Sequence, residues 1–274
     1  CDSTGTHTGH CNNSPPRNTI SDITQDNIAT GSDTAVILQS NDAVISQDMV
    51  LLNDCDETEL GSNDASCSNI GPTNIIGPIS QTNAGTGDGS SAITQSNFVD
   101  VSQNIEGTND CDESGVGSNL AVCETRLANT IGKITQSNTA TATGSEVETQ
   151  SNLFSLTQNL VATNDCDETG SADNVANCSI TASTTVGDIS QSNVGSSNIL
   201  TINQDGTAKN DCDNVSSGTI CSIDLKLILP SFTQLGDEEL HINQVNNVLN
   251  TCSSGGNCAI SVTNDFTPDD IVPN

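Results

Sequence analysis

Apolar and polar residues alternate with a period of two along much of this chain. From Ile93 one face reads Ile93, Gln95, Asn97, Val99, Val101, Gln103, and the other Thr94, Ser96, Phe98, Asp100, Ser102. The same face recurs upstream as Ile37, Gln39, Asn41, Ala43, Ile45, Gln47 and downstream as Glu148, Gln150, Asn152, Phe154, Leu156, Gln158. Period two is the signature of β-strands. Further strands are expected around Ile23 to Asn27, Ile79 to Asn83, Ile134 to Thr141, Ile189 to Asn193 and Ile220 to Leu229, separated by Gly and Asp/Asn clusters such as 85–89. Few segments hold a 3.6-residue period, so helices are not expected.

The strands belong to a repeat. NDCDETELGSNDASC, from Asn53, returns as NDCDESGVGSNLAVC at Asn109, NDCDETGSADNVANC at Asn164, NDCDNVSSGTIC at Asn210 and, shortened, NTCSSGGNC at Asn250. These pieces, rich in Asp, Asn, Ser and Gly, read as turns or loops. Gln47, Gln103, Gln158, Gln204 and Gln244 each lie eight residues before a cysteine. Cys55 to Cys111 spans 56 residues and Cys111 to Cys166 55, after which the unit shrinks to 46 and 40. The pattern predicts an all-β repeat protein of stacked β-arches or β-solenoid coils that loses an arm toward its end. A unit could form two coils of 28 residues or one wide loop of 56. The repeat domain is read as 1–258, with units of approximately 1–54, 55–110, 111–165, 166–211 and 212–251 and a partial unit at 252–258. Residues 259–274 read as a tail able to add a strand to a neighbouring subunit.

Amides at matched inward positions need a reason, because a buried amide without partners costs about 1–3 kcal/mol. If coils stack in register about 4.8 Å apart, each amide N–H can donate to the equivalent oxygen one rung away. Gln39, Asn41, Gln47, Gln95, Asn97, Gln103, Gln150, Asn152, Gln158, Gln204 and Gln244 are the candidate ladder residues. The strings ITQSN at Ile93 and Ile134, ISQTN at Ile79 and ISQSN at Ile189 resemble the Gln/Asn repeats of curlin-type subunits, which implies extracellular functional amyloid. The cysteine-rich, acidic, aromatic-poor repeat is also similar to what a methanogen-type archaeal sheath subunit would show. Both resemblances imply a self-assembling structural protein.

Composition narrows the choice. With 274 residues but 32% hydrophobic content, four Phe, one Met and no Trp or Tyr, an ordinary compact enzyme domain is disfavoured. The twelve cysteines fall into successive pairs, Cys1/Cys11, Cys55/Cys67, Cys111/Cys123, Cys166/Cys178, Cys212/Cys221 and Cys252/Cys258, which implies disulfides and an oxidising, extracellular or cell-surface location. Local pairing competes with bridges between stacked equivalents such as Cys55 and Cys111. It is favoured because each pair shortens as a unit without losing either member. Zinc fits poorly, since there is no CxxC and His7, His10 and His241 do not track the repeat. No stretch approaches a membrane span, and any export signal is expected to have been removed before Cys1, which fits the pairing better than lipidation.

A formal charge of -30 with five Lys plus Arg excludes nucleic acid and anionic lipid as natural partners. No cofactor is expected. The acidic turns could take Ca²⁺, but no Asp-x-Asp-x-Asp-Gly loop is present, and solvated turns in which Asn and Asp cap their own backbone are the favoured explanation. Asn12, Asn177 and Asn214 are N-x-S/T glycan acceptors by motif. No GxSxG, HExxH or phosphate-loop motif is present, so an enzyme is not expected. The expected function is a structural subunit of an extracellular filament, sheath or other cell-surface homopolymer. The alternative is a monomeric surface-binding solenoid, ice-binding or adhesin-like, suggested by the hydroxyl row Thr135, Ser137, Thr139, Thr141.

Overall fold

Each alternating segment becomes a strand because its amide-and-aliphatic face has the same face of another unit to pair with. The computed structural model describes residues 8–13, 16–55, 57–58, 64–89, 91–144, 147–170, 174–193, 197–213, 219–229, 231–252 and 256–265. Coil 1 comprises β1 Thr8–Asn13, β2 Arg17–Ile20, β3 Ile23–Gly31 and β4 Val36–Asp54, followed by β5 Glu57–Thr58 in the connecting loop. Coil 2 comprises β6 Asp64–Ile76, β7 Ile79–Gly89 and β8 Ala92–Asp110, with β9 Glu113–Gly115 in its loop. Coil 3 comprises β10 Leu120–Ile131, β11 Ile134–Gly144 and β12 Val147–Asp165, then β13 Glu168–Gly170. Coil 4 is β14 Val175–Val186 and β15 Ile189–Cys212, and coil 5 is β16 Ile220–Ile228 and β17 Phe232–Cys252. β18, Asn257–Asp265, starts a further coil. The described residues contain no helix.

Every coil runs outward from its first cysteine, bends, turns at a tip and returns to its second cysteine, so one unit makes one wide, flattened coil. All strand pairs are parallel, in the order β1-β6-β10-β14-β16-β18 for the outbound strands next to the cysteines. The outer outbound strands and the return strands form one sheet, β3-β7-β11-β15-β12-β8-β4, with β17 on β15, because β15 passes unbroken through its shortened tip and belongs to both layers. The loop strands stack separately as β13-β9-β5. β18 pairs with β16 of its own chain, so the repeat runs on past residue 258 into the segment read as a tail. Residues 266–274 lie outside the described ones.

The bend is narrow. Gly132 N donates to Ile76 O and Gly187 N to Ile131 O, both at 2.8 Å, carrying the ladder through the corner. A Cβ on Gly132 would sit 2.7 Å from Pro78 N, and one on Gly187 2.7 Å from Gly132 C, so the stacked corners leave no room for a side chain. The one-residue difference between the first two repeat lengths also has a structural cause. Arg126 pairs with Ile70 and Ala128 with Thr73, which leaves Gly71 and Pro72 opposite Leu127 alone, a β-bulge with Gly71 at φ 87°.

The expected loss of an arm occurs at the tip. Ser137 pairs with Ser192 and Asn152 with Asn198, so coil 4 crosses with five residues a distance that coil 3 crosses with fourteen. The bond from Asn138 to Asn152 (3.1 Å) is replaced by one from Asn193 to Asn198 (2.9 Å).

Inside, amide and aliphatic columns alternate along the strand. Ile76, Ile79, Val99, Val101 and Phe154 fill the centre of the sandwich, and Ile105, Leu127 and Leu160 a second column nearer the loops. The loop cysteines, with Ala65, Ala121 and Ala176, fill a third. Five of the expected local disulfides are present, Cys55–Cys67, Cys111–Cys123, Cys166–Cys178, Cys212–Cys221 and Cys252–Cys258, with Cα separations of 6.1 to 6.8 Å. For the sixth, Cys11 is disulfide-bonded while Cys1 lies outside the described residues. The chain therefore belongs in a non-reducing compartment.

Gln95 donates to Gln39 and accepts from Gln150, both at 2.8 Å, so Gln95→Leu removes two ladder bonds, one from each neighbour. Chemical denaturation is expected to show a loss of about 1–3 kcal/mol, whereas Thr94→Ser, on the exposed face, is expected to leave the midpoint unchanged. Equal effects at both positions would reverse the assigned face.

Candidate assembly surface

The candidate ladder residues all face inward. Gln39, Asn41, Gln47, Gln95, Asn97, Gln103, Gln150, Asn152, Gln158 and Gln204 are buried, and Gln244 is half-buried in coil 5. Gln103 donates to Gln47, Gln158 to Gln103, Gln204 to Gln158 and Gln244 to Gln204, each at 2.8 Å. Asn41 donates to Asn97 at 3.0 Å, Asn97 to Asn152 at 2.9 Å and Asn152 to Asn198 at 3.0 Å. The amide hydrogens also serve the facing layer, as when Gln95 Nε2 donates to Thr139 O and Asn97 Nδ2 to Ser137 O, both at 3.1 Å.

Ladders of equal quality occupy the outbound layer. Gln25, Gln81, Gln136, Gln191 and Gln234 form one, and Asn27, Asn83, Asn138 and Asn193 another. On the return strands a further ladder, Asn53, Asn109, Asn164 and Asn210, comes from the Asn-Asp-Cys motif that reads as a turn. Those asparagines end the return strands, and only the residues beyond the cysteines form the loop. Their fixed spacing from the preceding glutamine was the available signal. Outbound and return layers interleave, since Asn83 donates to Asn97 and Asn97 to Asn138, both at 3.0 Å, placing each return strand between two outbound ones.

The ladders have direction. The glutamine bonds donate toward coil 1, whereas the ladder asparagines donate toward the last coil. The stack is also bare at both ends. β1, β3 and β4 terminate their sheets on one side and β17 and β18 on the other, with no covering element among the described residues. On β18 the residues in register with buried Ile223 and Leu225 are Ile260 and Val262. They are 53% and 43% exposed, because no return strand lies over them among the described residues.

Charge gathers beside the loops. Asp54, Asp110, Asp165 and Asp211 are register partners on successive return strands, so their carboxylates form a column at the rung spacing. A second column flanks the cysteines on the other side: Asp167 N donates to Asp112 Oδ1 at 3.2 Å, and Asp213 N to Asp167 Oδ1 at 3.1 Å. Carboxylate oxygens of Asp167, Asp211 and Asp213 lie within 4.8 Å of one another, hard ligands of the type Ca²⁺ takes. Lys209 Nζ bonds Asp211 Oδ2 at 3.0 Å. Burial, reinforced by the charges of Asp112, Asp167 and Asp211, pushes the Asp165 carboxyl up to about 6. Asp112 is raised as well, mainly by burial.

The hydroxyl row Thr135, Ser137, Thr139, Thr141 lies on the outer face of β11, with Ser80, Thr82 and Thr86 beside it on β7 and Ser190 and Ser192 on β15. Ala84 interrupts the array, and it shortens with the tip at coil 4. Of the sequon residues, Asn12 is exposed on β1, Asn177 is half-buried on β14, and Asn214 lies outside the described residues.

A carboxyl whose folded pKa lies above its unfolded value stabilises the fold when protonated, and that contribution is lost as pH rises through the folded value. Calorimetry is therefore expected to show the melting temperature rising as pH falls from about 7 toward 4, across the interval between the ordinary Asp value and the raised one. Asp165→Asn is expected to raise the melting temperature at neutral pH and to flatten part of this dependence. Added salt at neutral pH is expected to act in the same direction by screening the columns.

No protein-family model, curated protein or solved structure matches the chain.

Proposed function

We propose that this protein is the structural subunit of an extracellular filament, sheath or other cell-surface polymer, built by end-to-end β-sheet stacking and without catalytic activity. The observation that carries the reading is that, among the described residues, no element covers the outer edges of β1, β3 and β4 or of β17 and β18. Exposed strand edges template pairing with another chain, and soluble solenoids normally cover theirs with a cap. Head-to-tail addition gives the unpaired main-chain N–H and C=O groups of the end strands partners in another copy. The exposed core face of Ile260 and Val262 gains a cover. Cations, Ca²⁺ among them, enter as counter-ions that let two strongly acidic copies approach.

Negative-stain microscopy and fibre diffraction of purified protein, concentrated with Ca²⁺ and salt, are expected to show filaments or sheets with a reflection at about 4.8 Å. Ile260→Lys combined with Val262→Lys changes two residues that are already exposed. It is expected to preserve the monomer's circular dichroism and melting temperature and to abolish assembly. If the doubly charged variant polymerises as well as the parent, the β18 face is not the contact. An intact protein that stays monomeric under all these conditions would overturn the polymer reading itself.

A further inference from the structure

The cysteines form a column as well as pairs. Cys11, Cys67, Cys123, Cys178, Cys221 and Cys258 are register partners along the outbound strands, and Cys212 and Cys252 are partners along the return strands. Because the two layers interleave, a loop-closing disulfide has a further cysteine of the column beside it. Cys123 Sγ lies within 4.8 Å of both sulfurs of Cys166–Cys178, and Cys178 Sγ within 4.8 Å of both sulfurs of Cys212–Cys221. Along this run the column is sealed, with Cys111, Cys123, Cys166, Cys212 and Cys221 at 0% exposure and Cys178 at 1%. At the last coils the seal opens, since Cys252 is half-buried and Cys258 is exposed.

We infer that Cys258 is a thiol-acceptor site, taking a small-molecule thiol in mixed-disulfide linkage, and that the column behind it passes the released thiolate inward by disulfide exchange. The entering thiolate attacks Cys258 Sγ; a new S–S bond forms there, the Cys252–Cys258 bond breaks, and Cys252 leaves as thiolate. Cys252 is the register partner of Cys212, and Cys258 of Cys221, the same relation that joins the cysteines of the preceding coils, and Cys252 packs against the cysteine cluster; it attacks Cys221 to expel Cys212. Cys212 attacks Cys178 and expels Cys166, and Cys166 attacks Cys123 and expels Cys111. Each step replaces one S–S bond by another, so nothing is oxidised or reduced. The proton lost by the entering thiol returns to the last thiolate. Burial and the neighbouring aspartate columns both disfavour thiolates inside, so exchange is slow at neutral pH and quickens as pH rises. A monomer suffices for this chemistry.

The test treats intact oxidised protein with equimolar cysteamine at about pH 8.5, the ordinary pKa of a thiol, followed by N-ethylmaleimide and non-reducing peptide mapping. The expected products carry cysteamine on Cys258, maleimide distributed over Cys212, Cys166 and Cys111, and new cross-linked peptides Cys221–Cys252, Cys178–Cys212 and Cys123–Cys166. Maleimide on Cys252 alone, with every other pair unchanged, would show a reactive terminal disulfide and no exchange column; absence of cysteamine from Cys258 would remove the site. Cys258→Ser gives an independent reading, because Cys252 then has no loop partner from the start. The reactive thiol in that variant is expected to spread to Cys212 and Cys166, and its confinement to Cys252 would overturn the column.

Discussion

The structure depends on one requirement: a primary amide taken out of water must find partners for its hydrogens and its oxygen. In this chain they come from the equivalent residue one coil away and from a carbonyl of the facing layer. Each ladder residue thereby fixes the register of its strand against two neighbours, since a one-residue slip would expose every amide and bury every hydroxyl. The amide columns alternate with columns of Ile, Val, Leu and Phe, so the low hydrophobic content that argues against a compact enzyme is enough here. A flattened coil needs only a core one side-chain layer deep.

The same stacking that satisfies amides concentrates charge. Carboxylates in register at the rung spacing repel one another, and the raised pKa of Asp165 shows where burial makes that repulsion most costly. The disulfides lie beside the two aspartate columns and close the loops that follow them. Covalent closure and like-charge repulsion thus sit at the same end of every coil, while the opposite end, the tip, varies in length between coils at little cost. Loss of the tip in coils 4 and 5 removes one glutamine ladder, while the asparagine zipper continues into coil 4 through Asn193 and Asn198 and stops there, since Asn198 pairs with Glu238 of coil 5.

Stacked folds have no natural stopping point. The pairing that joins one coil to the next is equally available to another copy, and neither end of the described stack is blunted. That property links the fold to the proposed polymer. The sulfur column is a second consequence of repetition, because cysteine pairs that recur once per coil are register partners of their equivalents as well as being bonded to one another.

Much of this was legible in the sequence. Period-two alternation gave the strands, the matched glutamines and Asn41, Asn97 and Asn152 gave the inward face, and paired cysteines that shortened together gave the local disulfides. These features are local or depend only on equal spacing, which a linear sequence displays directly. Other features depend on which layers face one another. Whether a unit made one coil or two was decided by register: strands pair with those 55 or 56 residues away, so the corner at Gly77, Gly132 and Gly187 is a bend within one coil. The asparagines of the Asn-Asp-Cys motif read as turn formers because their composition is that of a turn, yet register draws them into the core as a ladder. The adherence of β18 to its own stack, the interleaving of outbound and return strands and the nearness of sulfurs from different pairs arise only when the sheets are folded over one another. They are long-range contacts, and no local pattern encodes which partner a strand edge will choose.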